Sequence, residues 1–301
     1  MKTFDSDDHP VHEPDRTDSG FREILRLGII FEEESGRGLT HPFFVLIINA
    51  FKQKAEEEGC EITFINNHLA GKEIDYANYC RISRLDGVCL VCADFAAPKV
   101  KALIEAGLPC LTVDHLFRRV PAVLSDNESG MQKLVEYAIS RGHKRIAFVH
   151  GHNNSVVTRT RIQQFKNTMS CHNLPVPEEY LRESEYDNIR LNRKIVGELL
   201  DLPNRPTCIL LPDDMEYLGA QDAARERSLR IPEDISFAGY DGIPITQALK
   251  PQLTTIRQDS IQMGWLAAEQ LIRLIRNPKS ASRLPVILPV ELIEGGTIGT
   301  I

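Results

Sequence analysis

Short apolar, β-favouring runs alternate with helix-period segments along almost the whole chain, and this alternation constrains the fold more than any other feature. Residues 25–31 read as a strand. Over 43–58, Phe44, Ile47, Ile48, Phe51 and Ala55 share one helical face, with Gly59 placed to close the helix. Strand 61–65, a helix within 72–83, strand 86–92, helix 98–106 and strand 109–114 follow. The alternation then resumes as strand 123–126, helix 129–141, strand 145–150 and helix 158–171. Past a proline-bearing loop over 172–184 come helix 189–201, strand 207–211, helix 214–228 and strand 235–240. Strands alternating with helices predict parallel sheets covered on both faces. A chain of 301 residues has room for two such lobes.

The stretch 235–259 organises the rest. An apolar run with Ile235, Phe237 and Tyr240 ends in Asp241-Gly242. After a polar loop, 251–256 reads as a second strand, and Arg257, Gln258 and Asp259 lead into helix 261–276. A strand that leaves one sheet to feed a helix elsewhere is a link between two lobes. Short strands at 286–288 and 291–293 close the chain.

Composition removes several classes of function. No run of about 18 apolar residues is present, so no membrane-spanning helix is expected. Residues 1–20 carry six acidic residues (Asp5, Asp7, Asp8, Glu13, Asp15 and Asp18) against Lys2 and Arg16, with no apolar core of a secretory signal. Residues 1–24 are expected to be a disordered tail or an expression remnant. The net charge of −7 argues against this piece gripping nucleic acid itself. Seven cysteines without paired spacings fit reduced thiols and a cytoplasmic location.

Several strands end in a carboxylate: Asp114, Asp126, Asp213 with Asp214, and Asp241. In a parallel sheet such ends share one edge and face a crevice. Asp126 reads as a helix cap, as does Asp213 or Asp214, whereas Asp241 precedes Gly242 and a loop and reads as a ligand contact. Arg161 is placed in the first turn of its helix, where the dipole disfavours a cation. It is either a solvated surface residue or a hydrogen-bonding fork facing the crevice. Phe43, Phe44 and Tyr186 are rings that could stack on a sugar, or core residues, with core packing favoured more for Phe44 than for Phe43. Cys89 and Cys92 lie three apart on one strand, on opposite faces, which disfavours a metal or disulfide. His150 reads as a strand-end residue. No phosphate-binding loop, dinucleotide fingerprint, nucleophile elbow or catalytic Ser, Cys or His arrangement is present. No cofactor, metal or enzymatic activity is therefore expected; an enzyme using the aspartates as acid and base is the least favoured reading.

The segments HPFFVLIINAF, DGVCLV, LPCLTVD, SDNESG, RGHKRIAFVHG, RTRIQQF, LRIPEDISFAGYDGIP, PQLTTIRQ and LPVELIEGG occur in order between residues 27 and 296. In this order they resemble the effector-binding region of LacI/GalR-type transcriptional regulators. The resemblance implies an α/β fold of two doubly wound parallel-sheet lobes joined by three crossovers, of the periplasmic-binding-protein-like type I. It implies an N-terminal lobe of 25–125 with 259–282 and a C-terminal lobe of 126–258 with 284–298. It also implies a homodimer, a small sugar or sugar-derived effector in the cleft, and operator DNA reached through a helix-turn-helix. No such module precedes residue 25 in this sequence, and truncation is the favoured reason. Cleft contacts carried over by motif are Phe43, Phe44, His115, Arg161, Tyr186, Asp213 and Asp241. This sequence departs from the family pattern at Val157, where Ser or Thr is common, at Asp213, where Asn is common, and at Gln164, where Gly is common. The additional carboxylate at Asp213 could favour an amino-bearing ligand or could serve only as a helix cap. A stand-alone cytosolic carbohydrate-binding protein is the alternative reading.

Overall fold

The computed structural model describes residues 24–32, 40–66, 68–69, 71–186 and 188–301. The expected tail, residues 1–24, falls outside them except for Ile24. In chain order the first elements are β1 (Arg26–Phe31), α1 (Pro42–Glu57), β2 (Glu61–Ile65), a small hairpin of β3 (His68–Leu69) and β4 (Lys72–Glu73), and α2 (Tyr76–Ile82). Next come β5 (Gly87–Cys92), α3 (Pro98–Glu105), β6 (Cys110–Val113), β7 (Ala122–Ser125), α4 (Asn127–Ser140), β8 (Ile146–His150) and α5 (Val156–Cys171). Then follow β9 (Leu181–Glu183), α6 (Ile189–Leu200), β10 (Cys208–Leu210), α7 (Tyr217–Glu226), β11 (Ser236–Asp241) and α8 (Pro244–Gln247). The chain ends with β12 (Thr254–Arg257), α9 (Ser260–Arg276), β13 (Val286–Leu288) and β14 (Glu291–Ile293).

Two six-stranded sheets form, in the orders β13-β7-β6-β5-β1-β2 and β14-β12-β11-β10-β8-β9. All pairings in both are parallel except β12 with β14. Side chains of a strand alternate between faces, so each sheet feeds two cores. In β5, Cys89 and Val91 join the core under α1 and α9, while Val88 and Leu90 join the one under α2 and α3. In β11, Phe237 packs toward α6 and α7, and Ala238 and Tyr240 toward α4 and α5.

The chain passes between the sheets three times: from β7 to α4, from β12 to α9 and from β13 to β14. The last passage comes later than expected. The expected boundary puts residues 284–288 in the second lobe, yet β13 pairs Val286 with Val123 and Leu288 with Ser125 in the first sheet. The strand is only three residues long and carries no signal of its own for which sheet edge it joins. The link at β12 is as expected: β12 lies in the second sheet, and the α9 residues Met263, Ala267 and Leu271 pack in the core of the first. Among the described residues no helix is long and apolar enough to cross a membrane.

Candidate cleft between the lobes

The C-terminal ends of the parallel strands in the two sheets bring the candidate residues to one region. From the first lobe come His41, the residue before α1, and Phe43 in its first turn. From the second come Asp213, just past β10, and Asp241, the last residue of β11. His41 Nε2 lies 3.5 Å from Asp213 Oδ2, and the two residues are 4% and 1% exposed. Met215 and Ile243, from the loops that follow those two strands, pack into the core of the first lobe. The lobes are thus in contact through both polar and apolar groups.

Asp213 divides its oxygens between two tasks. Its Oδ1 accepts from the backbone N–H of Met215 at 2.7 Å and of Glu216 at 3.2 Å, which caps the turn leading into α7. Its Oδ2 has no hydrogen-bond partner within normal length and faces His41. Burial works to raise this carboxyl, but the adjoining Glu216 carboxyl and the His41 imidazole outweigh it and hold Asp213 well below the usual range. Asp214 is different in kind. Its carboxylate accepts from Thr255 Oγ1 at 2.5 Å, Thr246 Oγ1 at 2.8 Å and the Ile243 N–H at 2.9 Å. It therefore ties the β10 end to the loop after β11 and to β12, and caps nothing. The helix expected from 214 begins at Tyr217, because the intervening residues form the capped turn.

Asp241 sits at φ +109°, a conformation that non-glycine residues seldom adopt and that turns the chain out of the sheet. Its Oδ1 accepts from the Gln258 amide at 2.7 Å. Burial, with Asp213 adding to it, pushes its pKa up to about 7 against the opposing pull of His41 and Arg161. Asp114, at φ +51°, accepts the Ser125 N–H at 3.0 Å, and burial pushes it up to about 6. Asp126 caps α4 through the Ser129 N–H at 2.9 Å, in line with the capping expectation.

Arg161 is 4% exposed, which removes the solvated reading. It is not in a first turn either: Ser155 caps α5, so Arg161 stands in the second turn. Its Nε donates to Asn127 Oδ1 at 2.7 Å and its Nη1 to the Pro212 carbonyl at 3.1 Å, with the guanidinium carbon 3.5 Å from the Tyr240 ring centre. One side chain thereby holds the first crossover and the ends of β10 and β11.

The rings arrange themselves otherwise than expected. Phe43 is the core residue, 5% exposed, while Phe44 is half-buried between Phe31 and His41 at centroid distances of 5.4 Å. Tyr186 hydrogen-bonds Thr158 Oγ1 at 3.0 Å and lies flush on Gly151, where a Cβ would meet the ring at 2.1 Å. His115 stacks on Phe95 at 4.0 Å; burial first, then Arg159 of the second lobe, lowers its pKa to about 4. His115 and Phe44 belong to the first-lobe side, where their ring partners are Phe95 and Phe117 for the one and Phe31, His41 and Phe43 for the other. His150 ends β8, as expected, and bonds the Gly151 carbonyl at 2.8 Å.

Sequence reasoning missed His41, Asn127, Glu216 and Gln258. His41 and Gln258 stand inside quoted motifs, HPFF and TTIRQ, and a helix-start histidine and a crossover glutamine were the available signals. A cavity of about 720 Å³ opens beside Gln258, lined by Phe43, Leu46, Asp241, Ile243, Gln258 and Val290 among others. Among the described residues no group of three or more metal-ligating side chains converges.

A family model for a periplasmic binding protein-like domain matches residues 135–298. The ribose operon repressor of Haemophilus influenzae is 31% identical over 280 residues, covering 91% of this chain and 81% of that protein. A solved regulatory protein of the LacI family from Chloroflexus aggregans superposes with a TM-score of 0.79 at 26% identity, covering 91% of this chain and 98% of that one. The chain belongs to the LacI family of transcriptional regulators. Within this LacI-type family it is also similar to the probable HTH-type transcriptional repressor ExuR of Bacillus subtilis, at 28% over 259 residues, or 84% of this chain and 75% of that protein. These relatives are repressors rather than enzymes by their names.

Proposed function

We propose that this chain senses a small sugar-like effector in the interlobe cleft and passes the result to operator DNA as part of a dimeric regulator. The observation that carries this reading is the meeting of His41 and Phe43 from one lobe with Asp213 and Asp241 from the other. Asp241 and Gln258 supply acceptors for vicinal hydroxyls, Arg161 fixes the strand ends that present them, and Phe43, Phe44, Tyr186 and His115 are the rings and rim. A ligand touching both lobes stabilises the one arrangement in which both sets of contacts exist. Its effect on DNA affinity and the effect of DNA on its own affinity must then be equal. The name of the Haemophilus relative, a ribose operon repressor, supports a sugar as the ligand class.

The test is a thermal-shift panel of neutral sugars, phosphosugars, amino sugars, sugar acids and purines. A ligand at about a hundred times its dissociation constant adds roughly 2.7 kcal/mol. The expected result is a sugar-class hit that Arg161→Ala abolishes while remaining folded. A hit that survives in Arg161→Ala contradicts the assignment.

A further inference from the structure

The charges around the interlobe cleft are matched by groups of the chain itself. Asp213 is held by the His41 and Glu216 side chains and by the backbone N–H groups of Met215 and Glu216. Asp214 accepts from Thr246, Thr255 and the Ile243 N–H. Arg161 commits Nε to Asn127, Nη1 to the Pro212 carbonyl and its plane to the Tyr240 ring. It is a strut between strand ends more than a receptor for an anion.

The same holds where the 720 Å³ cavity opens. Asp259 caps α9 through the Gln262 N–H at 3.0 Å, and Arg257 pairs with Glu291 at the exposed mouth. Asp241 Oδ1 accepts from the Gln258 amide, and burial, by raising this carboxyl to about 7, keeps it from carrying a full charge at neutral pH. Phe43, Leu46, Ile243 and Val290 supply apolar walls. A charged group entering such a site meets opposite charges that are already engaged, and a buried charge without a partner is strongly disfavoured.

A second observation is independent of the charges. Gln258 lines the cavity and is 4% exposed. Its amide N–H is taken by Asp241 Oδ1, which fixes the other end of the amide as an acceptor, and that Oε1 has no hydrogen-bond partner. Buried polar atoms are nearly always paired, and each exception asks for a partner. The partner of an acceptor is a donor. A hydroxyl supplies one without bringing a charge, and the C–H faces of a sugar ring suit the apolar walls.

We propose that the effector is an uncharged sugar with one hydroxyl donating to Gln258 Oε1, and that the cleft rejects sugar acids, phosphosugars and amino sugars alike. This rests on the reading of the interlobe cleft as the effector site.

The experiment is calorimetric titration of the whole chain, near neutral pH, with three sets of sugars that differ at a single group. They are D-glucose with glucuronate, glucosamine and glucose 6-phosphate, D-galactose with galacturonate and galactosamine, and D-ribose with ribose 5-phosphate. A neutral member is expected to bind at least about tenfold tighter than its charged counterparts. Its affinity should not change between low and high salt, since no ion pair forms with it. Gln258→Glu, which replaces the neutral acceptor by a carboxyl, is expected to shift the ratio of neutral to amino sugar toward the amine by about tenfold. A charged member that binds as tightly as its neutral parent overturns the proposal, as does an affinity that falls steeply with salt, a ratio unmoved in Gln258→Glu, or no binding by any member. The cleft reading is judged separately: a charged sugar whose binding is lost in Arg161→Ala leaves the cleft in place and removes only its neutrality, whereas a neutral sugar that binds Arg161→Ala as tightly as wild type removes the cleft itself.

Discussion

His41 Nε2 and Asp213 Oδ2 face each other at 3.5 Å from opposite lobes, and both side chains are buried. Removing one partner of a buried charged pair costs more than the pair contributes, because the other is left without compensation. His41→Ala is therefore expected to destabilise the chain by about 3 kcal/mol. It should also loosen the contact between lobes. Denaturant titration reads the first effect, and small-angle scattering reads the second as a larger radius of gyration than wild type. An unchanged radius and midpoint would mean that the pair does not hold the lobes together.

Asp241 makes stability depend on pH in a direction opposite to most carboxylates. Its pKa is raised to about 7 from an ordinary 3.8, so the folded chain holds the proton more tightly than the unfolded chain. Its contribution is fully present below about pH 4 and is lost as pH rises through 7. Asp241→Asn is expected to gain stability on wild type between pH 5 and pH 8, by roughly 2–4 kcal/mol. Asp114 adds a smaller loss of the same sign, and His115, lowered to about 4, opposes both between pH 4 and 6.5. Those two are present in both chains, so the difference between wild type and variant reads Asp241 together with its effect on the neighbouring buried Asp214, whose carboxyl burial and then Asp241 push well above the usual range. Parallel pH profiles would contradict the assignment.

Asp214 is expected to matter most for folding. Asp214→Ala leaves the Thr246 and Thr255 hydroxyls and the Ile243 N–H without their acceptor in a buried site. Each such loss costs on the order of 1–3 kcal/mol, so the variant should unfold several kcal/mol more easily than Asp213→Asn. Urea midpoints of the two variants, measured side by side, check this ordering.

Close packing of α1 on α9 makes its own prediction. A Cβ on Gly264 would lie 2.0 Å from the Ile47 carbonyl oxygen, so the backbones touch where no side chain fits. Gly264→Ala forces the helices apart and should cost about 1–3 kcal/mol despite the better helix propensity of alanine. A stabilised variant in thermal melts would show that the helices can separate freely.

The elements were legible in the sequence because each sheet is buried on both faces and each helix on one. Runs such as 86–92 and 235–240 match their buried strands to within a residue at each end. Periodicity failed where it was degenerate. Phe43 and Phe44 each sit four residues before a buried isoleucine, Ile47 and Ile48, so spacing alone could not say which enters the core. The helix holding Arg161, expected from 158, begins at Val156, because Val156 and Val157 mask the cap at Ser155 in the sequence. The local pattern offers Asp213 or Asp214 as the cap and does not separate them; Asp213 caps, while the partners of Asp214 stand 29 to 41 residues away, a distance no local pattern reports. Likewise, His41 and Gln258 acquire meaning only when the second lobe is folded against the first.

The most direct test of the central claim is calorimetric titration of wild type and Asp241→Ala with the sugar giving the largest thermal shift. The account predicts saturable one-site binding to wild type and at least a hundredfold weaker binding to Asp241→Ala, with the variant still unfolding cooperatively. Equal affinities for the two chains would place the effector elsewhere and contradict the cleft assigned here.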